Sequence, residues 1–261
     1  MTTAPADAPA THARPAGGPV ALEIAVTAPA GALVARDAGA DRVELCTGLE
    51  LGGLTPSQAL VETVHETGIP AHALVRCRPG GFVHEPGEVA LMEREVRTVL
   101  RSGAAGVVVG ALRPDRTLDE DTLRRFVDAA RSVSAAAEVT LHRAVDHAVD
   151  PVAAAAALAA LGFTRVLTSG GAASARAGSA TIARMVEAAG PVQVMAGAGV
   201  TPGDVPVLVA AGVAAVHLSA KRSSGGGHDG VPMGTGDDGS AHFVTDAGVV
   251  AAARAALDSL V

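Results

Sequence analysis

The sequence predicts an α/β fold of the (β/α)8 TIM-barrel class, and three observations carry that expectation. The chain has 261 residues, close to the roughly 250 that such a barrel takes. From Val20 onward one unit recurs: a helical stretch, a glycine, then a short β-branched run. Strand one runs into TAPAGALVA with no GxGxxG, so the dinucleotide signature of a doubly wound sheet is missing.

The elements follow in order. Strands are expected at Leu22–Val26, Arg42–Cys46, Ala71–Cys77, Gly106–Gly110, Glu138–Arg143, Arg165–Ser169, Val192–Ala196 and Ala214–Ser219. Helices fill the gaps, among them Glu88–Arg101, Thr122–Val133, Ile182–Ala189 and a last one at Val249–Leu260. Gly39, Gly68, Gly103, Gly162, Gly190 and Gly212 each stand between a helix and the next strand, where a left-handed residue closes the helix. Thr55-Pro56, Asp150-Pro151 and Thr201-Pro202 mark helix starts, with a capping oxygen before a first-turn proline. Residues 1–19 lack the basic and apolar regions of a secretory signal and read as a disordered tail before one barrel domain over 20–261. Lys221–His242 reads as a long glycine-rich loop at the barrel mouth, either a lid or disordered.

Composition narrows the partners. Hydrophobic residues make up 49% and charged residues 18%, a globular balance. Aromatic content is 2%: four Phe, no Tyr and no Trp. Single-stranded nucleic acids need stacking platforms and quaternary amines need aromatic cages, so both are disfavoured. A net charge of −7 argues against phosphate-backbone binding. The Ala-rich stretch 152–161 is too short to span a bilayer, so no membrane partner is expected. Two cysteines make no disulfide framework, and a cytoplasmic protein with reduced thiols follows.

Strand alternation sorts inward from outward residues. Leu22, Ile24, Val26, Val43, Leu45, Val139, Leu141, Val216 and Leu218 form the apolar sets that face the helices. Glu23, Glu44, Arg76, His142 and His217 then converge on the barrel axis from strands one, two, three, five and eight. A barrel is ordinarily filled by Val, Ile and Leu, and its sites lie at the C-terminal mouth. The set is therefore either a salt-bridged interior, in which Glu23 and Glu44 neutralise Arg76, or a functional cluster.

The glycine-rich loops add a second signal. MAGAGVTP puts Gly197 and Gly199 before the Thr201 helix start, and VHLSAKR puts Ser219 and Lys221 beside it. Backbone amides, a helix N-terminus, a hydroxyl and a lysine are parts of an anion site. Thr168, Ser169 and Gly170 of the TSGG run after strand six offer further donors.

These motifs resemble the CutC family, described as copper-homeostasis proteins built as TIM barrels. The resemblance covers nearly everything from Leu22 to Ser219, through LEI (22–24), GADRVELC (39–46), LGGLTPS (51–57), VRCRPGGF (75–82), TLHRAVD (140–146), RVLTSGG (165–171), VMAGAGV (194–200) and VHLSA (216–220). It implies that Glu23, Glu44, Arg76, His142, Arg143, Asp146, Thr168, Gly197, Gly199 and His217 are pocket positions. Two departures stand out. Ala25 occupies the position after LEI where the family commonly has a cysteine. The third-strand motif, usually RPRGGDF, reads RCRPGGF, with Gly81 at the acidic position and Cys77 new.

Three readings follow. Copper is the cofactor or partner the resemblance implies, and its candidate ligands are Cys46 and Cys77. Strand parity points them to opposite faces unless a bulge intervenes. An enzyme acting on a small anionic, phosphorylated metabolite would use His142 or Glu44 as general base and Arg76 and Arg143 as a clamp. Gly197, Gly199 and Ser219 would hold the anionic end, and a divalent metal on Glu23, Glu44 and His217 is a variant. A non-catalytic ligand-sensing barrel is the third, and a homo-oligomer, dimer or larger, suits all three. The scarcity of aromatics predicts a pocket without aromatic walls, which holds its ligand by charge and backbone amides.

Overall fold

The structure, a computed structural model describing residues 18–225 and 241–260, has eight parallel strands paired in sequence order, the eighth returning to the first to close a barrel. The strands are β1 Ala21–Val26, β2 Arg42–Leu45, β3 Ala71–Leu74, β4 Gly106–Val109, β5 Glu138–Leu141, β6 Arg165–Thr168, β7 Gln193–Ala196 and β8 Ala215–Leu218. Between and after them run α1 Pro29–Asp37, α2 Gln58–His65, α3 Pro86–Arg101, α4 Glu120–Arg131, α5 Pro151–Ala157, α6 Ser179–Ala188, α7 Val205–Ala210 and α8 Ala247–Asp258.

Every expected strand is present, and most stop short of the expected end. β3 ends at Leu74 rather than Cys77 and β5 at Leu141 rather than Arg143, because the residues beyond leave the ladder to build loops. His142, for example, turns out of β5 and accepts the Ala144 amide at 3.1 Å, capping a 3-10 turn at Arg143–His147.

All six helix-to-strand glycines have positive φ, from 59° at Gly190 to 101° at Gly103, as a left-handed closure requires. Two of the three expected caps need revision. Asp150 accepts the Val152 and Ala153 amides at 3.0 Å each, as expected. α2 is instead capped by Ser57, while Thr55 bonds Glu95 and the Arg76 amide. Thr201 opens only a 3-10 turn, Pro202–Asp204, ahead of the six-residue α7. Its own amide and hydroxyl both donate to Asp204, at 3.0 and 2.7 Å.

The stretch expected as one long loop is partly ordered. Lys221–Gly225 (β9) and Ala241–Thr245 (β10) pair as an antiparallel ribbon, with Lys221 opposite Thr245. The Lys221 ammonium lies 4.0 Å from the centre of the Phe243 ring. Residues 226–240 and the tail at 1–17 lie outside the described residues.

Burial falls into two compartments. The main core fills the space between sheet and helices, where Leu22, Ile24, Val43, Leu45, Val139, Leu141 and Val216 are fully buried. Two small apolar groups stand apart from it, Cys46 with Leu74 and Val108, and Leu167 with Met195 and Ala215. They share the inward parity, so apolar packing inside the barrel is confined to these patches. The rest of the interior is ionic.

Candidate functional site

The floor is a desolvated charge network. Glu23 on β1 pairs with Arg42 on β2 through Oε2 at 2.5 Å and with His217 on β8 through Oε1 at 2.9 Å. His72 on β3 lies 3.6 Å from the same carboxylate and 3.1 Å from Glu138 on β5. Arg165 on β6 bonds Glu138 at 2.7 Å, Thr140 at 3.2 Å and Gln193 at 3.0 Å. Burial works to raise the Glu23 pKa, but Arg42, His217 and His72 outweigh it and hold the carboxyl well below the ordinary range.

This revises the expected salt-bridged interior. Among the described residues Arg76 pairs with no carboxylate; Arg42 and Arg165 supply the neutralising cations. Arg42, His72, Glu138 and Arg165 share the inward parity of Glu44, Leu74, Thr140 and Leu167, and that alternation is the signal that finds them.

Above the floor, at the C-terminal mouth, a cavity of about 290 Å³ opens. Glu44, Arg76, His142, Arg143, His217, Gly199 and Ser219 of the expected set line it. Glu23 does not line it; it sits below, as the partner that orients His217. His147 and Phe82 line it without having been expected. Phe82 corrects the expectation of a wall without aromatics. One of only four Phe, it stands 4.9 Å from the His142 ring and 5.3 Å from that of His147.

The titratable groups divide into distinct roles. Burial raises the Glu44 pKa, with Glu23 adding to the rise and His217 opposing it. Burial would depress His217, but the carboxylates of Glu44 and Glu23 overcome it and raise its pKa. His217 Nε2 lies 3.8 Å from Glu44 while its Nδ1 is engaged by Glu23. His142 behaves in the opposite way. Burial, reinforced by Arg76, lowers its pKa to about 3, so its ring is neutral. Its Nδ1 accepts the Ala144 amide, which leaves the proton on Nε2, a buried atom with no hydrogen-bond partner among the described residues. Of the two expected bases, therefore, His142 presents an N–H rather than a lone pair, and Glu44 a carboxyl whose pKa burial raises.

Several expected ligand donors are already occupied by the protein. Asp146, on the 3-10 turn after β5, accepts from Thr168 Oγ1 at 2.6 Å, Ser169 Oγ at 2.9 Å, the Ser169 amide at 3.0 Å and the Gly171 amide at 3.1 Å. The Gly170 amide donates to Thr168 Oγ1 at 2.8 Å. The TSGG loop thus holds an anion, and that anion is Asp146. Arg76 donates to the carbonyls of Leu51, Gly53 and Gly80, each at 3.0 Å, so it ties the β2 and β3 loops together while lending its charge to the wall. Arg143 bonds Asp146 at 2.8 Å and Ser169 at 3.2 Å, yet its side chain is 43% exposed, which leaves an edge of the guanidinium toward the mouth.

The β7 loop is different. The Gly197 amide completes the ladder to Thr168 O at 2.9 Å, and a Cβ there would meet Leu167 at 2.5 Å and His217 at 3.3 Å. Gly197 is a packing position. The Gly199 and Val200 amides have no acceptor among the described residues, and the Ser219 hydroxyl has no partner among them. Ala198, between the two glycines, is held at φ 92°, a strained conformation for a residue with a Cβ.

The candidate metal ligands separate. Cys46 is fully buried in its apolar patch, and burial pushes its thiol pKa up. Cys77 lies on the other side of the third strand's path, near His84 and Glu88. The two thiols thus sit in different clusters, Cys46 in its apolar patch and Cys77 against the main core. Glu23, Glu44 and His217 have ligand atoms within 4.8 Å of one another, but both Glu23 oxygens already hold Arg42 and His217. Of the three, Glu44 and one imidazole nitrogen of His217 remain open toward the mouth.

Comparison with known proteins gives concordant matches. The model of the CutC family matches residues 20–222. A CutC-family protein of Xylella fastidiosa is 46% identical over 203 residues, spanning 77% of this chain and 74% of its own length. One from Vibrio cholerae is 41% identical over 188 residues, spanning 71% and 73%. A solved structure assigned as the copper homeostasis protein CutC of Streptococcus agalactiae superposes with a TM-score of 0.70 at 26% identity, covering 77% of this chain and 98% of that one. Among the described residues no helix is long and apolar enough to cross a membrane.

Proposed function

The chain belongs to the CutC family, and we propose that its barrel mouth binds a small anionic, phosphorylated metabolite and exchanges a proton with it. The observation that carries this reading is His142. A neutral imidazole on the pocket wall with a buried, unpartnered Nε2–H is costly unless a ligand oxygen accepts from it.

The rest of the pocket supports the same chemistry. The exposed edge of Arg143, the Gly199 and Val200 amides and the Ser219 hydroxyl offer donors to the anionic group. Glu44, its pKa raised by burial, takes or returns the proton. His217, kept protonated by Glu23 and Glu44, stabilises the carboxylate when it is charged. Phe82 closes one wall and keeps water from the His142 edge.

The copper role attached to the family's description finds no paired thiols at Cys46 and Cys77, and no step is assigned to a metal at the mouth. A ligand-sensing barrel would use the same donors without the proton transfer.

Isothermal titration with inorganic phosphate and 2-phosphoglycolate tests the binding. We expect saturable binding that weakens at least about tenfold in His142→Asn, the loss of a charge-assisted bond. Undiminished affinity in that variant would overturn the assignment. Deuterium uptake from D2O at the carbon beside the carboxylate separates enzyme from sensor: an enzyme exchanges it and Glu44→Gln does not, whereas a sensor binds with no exchange in either form.

A further inference from the structure

Past the end of β3 the chain alternates: Arg76 turns to the mouth and Cys77 away from it, toward α3. There the Cys77 sulfur, a ring nitrogen of His84 and a carboxylate oxygen of Glu88 lie within 4.8 Å of one another. Cys77 and Glu88 are half-buried, so a small ion can reach their side of the group.

The hydrogen bonding of His84 sets its chemistry. Its side chain is 1% exposed, and Nε2 lies 3.2 Å from the Gly110 carbonyl. A carbonyl only accepts, so Nε2 carries the proton and Nδ1 carries the lone pair. Nδ1 is buried and has no hydrogen-bond partner among the described residues; the nearest charged atom is Glu88 Oε2 at 3.7 Å. A buried lone pair facing a carboxylate and a sulfur is unfavourable unless something positive lies between them. An imidazole that donates its far nitrogen to a backbone carbonyl is also the usual way a protein orients a metal ligand.

We propose that Cys77, His84 through Nδ1 and Glu88 bind one divalent ion of the zinc class, outside the mouth pocket and independently of what the pocket binds. One sulfur, one nitrogen and one oxygen suit a borderline-soft ion, and the open side leaves a fourth position for water. Cys77 gives up its proton on binding. Arg78 contacts both Glu88 oxygens, at 2.5 and 3.1 Å, and the Glu85 amide reaches Oε2 at 2.9 Å. Glu88 ligates through Oε2, the ion replacing the longer Arg78 contact there, while Arg78 keeps Oε1. The ion would also brace the mouth, because Gly110, which anchors His84, packs directly on the His142 ring.

The test uses the full chain without an affinity tag, stripped with EDTA. Zinc titration followed by calorimetry should give one equivalent bound, and cobalt should give a thiolate charge-transfer band. Cys77→Ser should abolish the band and weaken zinc binding at least about tenfold, with His84→Gln weakening it similarly. Cys46→Ser should change neither readout, and excess magnesium should not compete. Circular dichroism of each variant checks that it is folded. No saturable zinc binding in the wild type overturns the proposal, as does a cobalt band that survives Cys77→Ser or depends on Cys46.

Discussion

Glu23 and His217 meet across the seam where the first strand pairs with the last, Oε1 to Nδ1 at 2.9 Å. The carboxylate thereby raises the imidazole that faces the mouth, while staying out of the mouth itself. Glu23→Gln should lower the His217 pKa, read from the ring proton shifts in an NMR titration. Because Arg42 leans on the same carboxylate in a dry interior, the variant should also lose about 3 kcal/mol of stability in urea unfolding. An unmoved His217 titration would falsify the coupling.

His142 predicts a limb in the acid stability profile. Its folded pKa is about 3, against an ordinary 6.5. As pH falls between those values the unfolded chain takes up the proton and the native state does not, so stability declines as acid is added and is regained above 6.5. The contribution amounts to as much as about 5 kcal/mol. His142→Asn keeps the acceptor for the Ala144 amide and has no titratable ring, so its profile should be flatter between those two pH values. Parallel wild-type and variant profiles would show that the ring is not buried neutral.

Asp146 gathers hydroxyls, amides and the Arg143 guanidinium on one carboxylate. Asp146→Asn should cost about 2–3 kcal/mol, the range for bonds to a charged group. Amide exchange should speed up at Ser169 and Gly171, the donors released. Unchanged protection at both amides would mean that other contacts hold the loop.

Gly110 leaves no room for a side chain: a Cβ there would stand 2.2 Å from the His142 ring. Gly110→Ala should destabilise by about 1–3 kcal/mol through overpacking and weaken anion binding at the mouth, because the ring must move. A variant with full affinity and stability would place His142 elsewhere.

Local signals made the fold legible. A left-handed glycine after each helix and the alternation of Val and Leu in each strand act within a few residues, and all six glycines and all eight strands are where those signals put them. Alternation also brought Glu44, His142 and His217 to the mouth. The same rule applied one turn of the pleat lower finds Arg42, His72, Glu138 and Arg165, but their partners come from strands as far as 153 residues apart, as in Arg42 and Met195. A glycine-rich loop reports only that its amides are free to turn; whether a ligand or the chain's own Asp146 takes them depends on the fold. Phe82 reaches the pocket from a loop that periodicity does not describe. The ribbon of β9 and β10 was hidden by the low-complexity residues between its strands.

The ionic floor also limits how this protein can change over generations. Glu23, Arg42, His72 and Arg165 are buried and bonded into one network, whose outer member, Glu138, is part-exposed. Replacing Glu23 or Arg42 alone leaves a buried charge without its counterpart, at a cost of about 3–5 kcal/mol, a large share of a typical domain's stability. Tolerated drift must therefore pass through paired replacements or through wholesale exchange for apolar residues. Among relatives, these five positions should covary as one block.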